Sequence, residues 1–157
     1  AVNNHNGVVS EELRLIYVVQ QHTGMPLFFR YVAGNVIDDH QLGSIEYAAE
    51  HLEIRLVVVL GHDHCGAVDA AINHDPEGYI KFITDEIKID IGDEKDDYKA
   101  CWLNVRHSVG LIEQSFEIHR EEEHGLRVIG ALYRLADGKV EFDVLKNDQT
   151  SGDTKRG

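Results

Sequence analysis

Residues 54–67 read Ile-Arg-Leu-Val-Val-Val-Leu-Gly-His-Asp-His-Cys-Gly-Ala. Ile54–Leu60 is apolar and β-branched, the strongest strand signal in the chain. Near-continuous apolar character fits a strand in a sheet covered by helices on both faces. Val68, Ala71 and Ile72 then predict a helix starting just after Gly66. Between strand and helix lies a turn of six residues, Gly61–Gly66, holding two histidines and a cysteine.

Upstream, Ile45, Ala48, Ala49 and Leu52 fall at i, i+3, i+4 and i+7, one apolar stripe on a helix for which Ser44 is a plausible N-cap. Before it, Leu27–Val32 reads as a strand. Strand, helix and strand with short links form a βαβ unit and imply parallel pairing. Leu13–Val19 adds a further strand, and Gly24 and Pro26 mark the turn after it.

Downstream, Asn73–Gly78 reads as a loop and Asp85–Asp97, dense in charge, as a solvated and mobile stretch. Trp102, Val105, Val109, Ile112 and Phe116 recur three and four residues apart and predict an amphipathic helix, and Gly125 ends that region. Arg127–Leu135 and Lys139–Leu145 flank Ala136-Asp137-Gly138, a hairpin pattern. The polar residues after Lys146 are expected to fray. The fold class predicted is α/β: a mainly parallel central sheet flanked by helices, with a C-terminal antiparallel hairpin, in a single domain over 1–157.

Hydrophobic residues make up 43% and charged residues 27% of the 157, the balance of a folded globular chain rather than a disordered one. No apolar run approaches the ~18 residues that a membrane span needs. Residues 1–10 carry no basic start and no apolar stretch, so a cytoplasmic protein is expected. A net charge of −13 disfavours nucleic acid and anionic membrane as partners. The two cysteines, Cys65 and Cys101, are too few for a disulfide framework.

His62 and Cys65 stand three apart at the carboxyl end of the best strand, where ligands of open α/β sheets gather. Imidazole and thiolate are preferred zinc donors. A cysteine at a helix start sits at the positive end of the helix dipole, which favours its thiolate. Gly61 and Gly66 allow tight turns beside such a site. The pair alone fits a buried cysteine next to a capping residue equally well. Cys101, beside Trp102 on the amphipathic helix, reads as a packed core thiol, and Asp38 and Asp39 as a solvated loop.

Five blocks, taken together, resemble the β-class carbonic anhydrase family. Phe28–Asn35 (FFRYVAGN) is similar to a family strand and the turn after it, and Ser44–Ala49 to the following helix. Val57–Ala67 is similar to the strand, paired metal ligands and helix start. Asn104-Val105-Arg106 is similar to the start of the long later helix, and Val128–Val144 to the closing hairpin. The resemblance implies zinc as cofactor, His62 and Cys65 as two of its ligands, and Arg30 as a further site residue that alternatively pairs with a carboxylate for structural reasons. It implies reversible hydration of carbon dioxide to bicarbonate, with hydrolysis of carbonyl sulfide or carbon disulfide as a related activity. His64 and His22 are candidate proton carriers. It also implies a homodimer or a higher homo-oligomer.

The family carries Cys-x-Asp-x-Arg just after its first strand, and its cysteine is a zinc ligand. Here Gln20-Gln21-His22-Thr23-Gly24 follows Val19, and no Cys-x-Asp-x-Arg occurs in the chain. Three readings stand. The natural chain contains the segment and this sequence skips it; or the segment is deleted, leaving a non-catalytic binding or regulatory relative; or His22, Asp63 or His64 replaces the missing ligand.

Overall fold

The computed structural model describes residues 36–143 in full, and before them only the backbone of four strands. Those strands are β1 (Val2–Asn3), β2 (Val9–Ser10), β3 (Arg14–Val19) and β4 (Pro26–Val32). After them come α1 (Asp39–His51), β5 (Leu56–His62), α2 (Gly66–Asn73), α3 (Tyr79–Ile91), α4 (Asp97–Glu113), α5 (Phe116–Glu123), β6 (Arg127–Tyr133) and β7 (Val140–Phe142). The polar tail after Lys146 lies outside the described residues, as do His22 and the Gly34-Asn35 turn.

Strands β4-β3-β5-β6-β7 form one sheet in that order, and β1 pairs with β2 apart from it. The expected α/β class and C-terminal antiparallel hairpin are present, with Tyr133 opposite Val140. The sheet is mixed, however, rather than mainly parallel. Among the described strands only β5 and β6 pair parallel, while β3 runs antiparallel to both β4 and β5. The cause is chain length. Residues 20–25 are all that joins β3 to β4, and a parallel crossover needs about a dozen residues or more. A link this short permits only an antiparallel neighbour.

Helix α4 packs on β5 and β6. Its buried residues Cys101, Val105, Ser108, Val109 and Ile112 form a stripe at helical spacing. The approach is close. A Cβ on Gly61 would sit 2.5 Å from Val105 Cγ2, and one on Gly130 2.9 Å from Val105 Cγ1. Gly61 therefore serves packing, not a turn, and Gly66 is simply the first residue of α2.

Three local expectations are corrected. Asp38, not Ser44, caps α1: its Oδ1 accepts the Gln41 N–H at 2.9 Å, while Ser44 sits inside the helix and donates to the His40 carbonyl. Most of Asp85–Asp97 is ordered, since α3 runs to Ile91 and buries Thr84, Ile87 and Ile91 at i, i+3 and i+7. Lys81, Asp85, Glu86, Lys88 and Asp90 are interspersed with that stripe and mask it in the sequence. Phe116 does not continue the α4 stripe. Ser115 interrupts it and caps α5 through the Ile118 N–H at 3.3 Å, leaving Phe116 exposed.

Candidate metal centre

His62 is the last residue of β5 and lies beside Tyr133 of β6. The chain leaves the sheet there, turns through Asp63 and His64, and enters α2 with Cys65 as its N-cap residue. The strand end and the three-residue turn after it, Asp63–Cys65, thus carry both candidate donors at the carboxyl end of the parallel strand pair, where the sequence places them.

The imidazole of His62 is oriented by its neighbours. Nδ1 lies 2.8 Å from the carbonyl oxygen of Asp63. A carbonyl can only accept, so Nδ1 carries the proton, and Nε2 is the ring nitrogen left to meet Cys65 or a metal. The ring also hydrogen-bonds the Cys65 side chain, and this contact raises its pKa above the usual histidine value against the lowering effect of burial. Cys65 is buried. A nitrogen donor with a set tautomer touching a buried thiol fits two positions of a zinc site. Among the described residues, no third histidine, cysteine or carboxylate joins them in a cluster that could hold a metal.

The other candidates go elsewhere. Asp63 turns to the hairpin: its Oδ1 accepts the Leu135 N–H at 2.8 Å, and its own N–H donates to the Tyr133 carbonyl at 3.1 Å. His64 turns out toward solvent, its side chain 76% exposed, with Nδ1 3.4 Å from Asp97 Oδ2. Asp38 and Asp39 are exposed at the start of α1. Arg30 lies in β4 opposite Ile16, and the strand order sets it two strands from His62. Its side chain lies outside what is described.

Two residues that sequence reasoning left aside reach the site. Cys101 is buried with its sulfur facing the Cys65 amide, and burial pushes its thiol up to about 12. It is a packed core thiol, as its place beside Trp102 predicts, but one that lines the Cys65 turn. Asp97, the first residue of α4, touches both His64 and Cys101. Its position beside Asp96 in an acidic run gave no sign of this. Among the described residues, no helix is long and apolar enough to cross a membrane.

A family model described as carbonic anhydrase matches residues 15–140. A carbonic anhydrase of Mycolicibacterium smegmatis is 36% identical over 130 residues, covering 74% of this chain and 62% of that protein. Carbonic anhydrase 2 of Mycobacterium tuberculosis is 34% identical over 126 residues, covering 73% and 61%. The chain thus spans about three fifths of the length of these relatives. Among solved structures, a tetrameric β-carbonic anhydrase of Sordaria macrospora superposes with a TM-score of 0.60 at 24% identity, over 67% of this chain and 60% of that one. One from Aspergillus fumigatus gives 0.59 at 25%, over 69% and 59%. By sequence and by fold, the chain belongs to the β-class carbonic anhydrase family.

Proposed function

We propose that this chain catalyses the zinc-dependent, reversible hydration of carbon dioxide to bicarbonate. One observation carries the reading: His62 and Cys65 meet at the carboxyl end of β5, with the imidazole held at Nδ1 by the Asp63 carbonyl and hydrogen-bonded to the Cys65 side chain. Family membership supplies the reaction class. Zinc, when bound, supplies Lewis acidity that brings the pKa of coordinated water down toward about 7.

The chain's own residues do the rest. His62 and Cys65 donate to the ion. The Asp63 carbonyl fixes the His62 tautomer, and the Asp63 carboxylate pins the turn to the start of the β6–β7 connection. The remaining protein donor comes from outside the described residues: from a Cys-x-Asp-x-Arg segment of the natural chain, or from His22. Arg30 is proposed as a further site residue. His64, exposed on the turn, is proposed as a proton carrier. A homo-oligomer is proposed by analogy with the tetrameric relative.

Stopped-flow carbon dioxide hydration with zinc-supplemented protein tests the reading. Catalysis above buffer that is lost in Cys65→Ser supports it. Catalysis retained in Cys65→Ser would sink it. A zinc-loaded chain that hydrolyses carbonyl sulfide or carbon disulfide but leaves carbon dioxide untouched would replace the substrate. A second reading, a non-catalytic binding or regulatory relative, is favoured by the lack of a three-donor cluster among the described residues. It predicts no turnover of any of the three gases.

A further inference from the structure

Only Asp63 and His64 separate the two proposed donors. His62 is still strand and Gly66 is already helix, so the backbone must redirect within a very short turn. It does so at His64, whose φ is +51°. For a residue with a Cβ this left-handed conformation is strained, because Cβ crowds the next carbonyl oxygen. Such strain persists only where the surroundings hold it.

The holding group is Asp97, 33 residues further along the chain. Its Oδ2 accepts the His64 backbone N–H at 3.0 Å and lies 3.4 Å from His64 Nδ1. Its other oxygen, Oδ1, accepts from Cys101 Sγ at 4.0 Å, and Cys101 in turn faces the Cys65 amide. One carboxylate therefore bears on both halves of the turn. Asp97 is not needed to cap α4, since Asp96 accepts the Lys99 N–H at 3.0 Å and fills that role. Asp63 anchors the opposite side of the turn to the β6–β7 connection. The turn is clamped between the sheet and α4.

We propose that Asp97 is a positioning residue for the metal pair: it holds His64 in the left-handed conformation, so that His62 and Cys65 present their donors to one ion. The proposal rests on the metal reading above. Outer groups of this kind commonly change metal affinity by about 10–100-fold.

Cobalt(II) binding tests it without recourse to activity. The metal-free chain is titrated with cobalt, thiolate-to-cobalt charge-transfer absorption reports Cys65 ligation, and chelator competition gives affinity. Melting curves confirm that each variant folds. Asp97→Ala is expected to weaken cobalt binding about tenfold and to diminish the charge-transfer band. Asp97→Asn keeps an acceptor oxygen for the His64 N–H and is expected to bind nearly as wild type. His64→Gly in the Asp97→Ala background is expected to recover affinity, because glycine takes positive φ freely. A general structural defect would not be cured by removing a second side chain. Two results would overturn the proposal while leaving the metal reading intact. One is unchanged affinity in Asp97→Ala. The other is a loss that persists both in Asp97→Asn and after His64→Gly is added to Asp97→Ala. A wild-type chain that takes up no cobalt would overturn both.

Discussion

Asp90 of α3 shows how single residues tie this molecule together. Its carboxylate is 2% exposed and faces α4, where Asn104 Nδ2 donates to Oδ2 at 2.7 Å and His107 Nδ1 lies 3.1 Å from Oδ1. Asn104 is itself fully buried. Removing the carboxylate takes an acceptor from a buried amide, which costs about 1–3 kcal/mol. Asp90→Ala is therefore expected to lower the urea midpoint by an amount equivalent to about 2 kcal/mol, and an unchanged midpoint would show that the α3–α4 contact does not depend on it. At this scale the site was partly legible. His62 and Cys65 could be singled out because donor type, three-residue spacing and strand-end position coincide within one short stretch. Asp97 could not, because its partner is 33 residues away and only the packing of α4 brings them together. The left-handed conformation of His64 was equally invisible, since histidine does not announce positive φ as glycine does.

Elements were legible where one period dominates. Strand β5, helix α2 and the closing hairpin follow their patterns closely. Helix α3 was hidden by its charge, and a single serine was enough to split the predicted amphipathic helix into α4 and α5. Strand adjacency departed from the pattern: β4 and β5 run in the same direction, but β3 lies between them, antiparallel to both, and the few residues between β3 and β4 decide how those two pair. The contact that seats α4 on the sheet is the one most open to test. Gly61→Ala would drive a methyl to 2.5 Å from Val105 Cγ2. Overpacking of this kind costs about 1–3 kcal/mol. The variant is expected to unfold at lower denaturant, and Val105→Ala in the same background should recover part of the loss through the space it frees. Additive losses in the double variant would mean that the two residues do not compete for one space.

For the whole molecule, the fold and the candidate centre both turn on the link between β3 and β4, residues 20–25. The family motif that would follow β3 is absent, the short link turns β4 antiparallel, and among the described residues the two proposed metal donors have no third beside them. The five resembling blocks were enough to identify the family because their order and spacing survive around the gap. They could not say what becomes of the sheet at the gap, because that is a property of the join and not of any block. The central claim is that His62 and Cys65 hold zinc in this chain. Native mass spectrometry of the purified protein and of Cys65→Ser tests it most directly. The account predicts one zinc per chain in the wild type and none in the variant. A wild-type chain without zinc, or a variant that retains it, would contradict the claim.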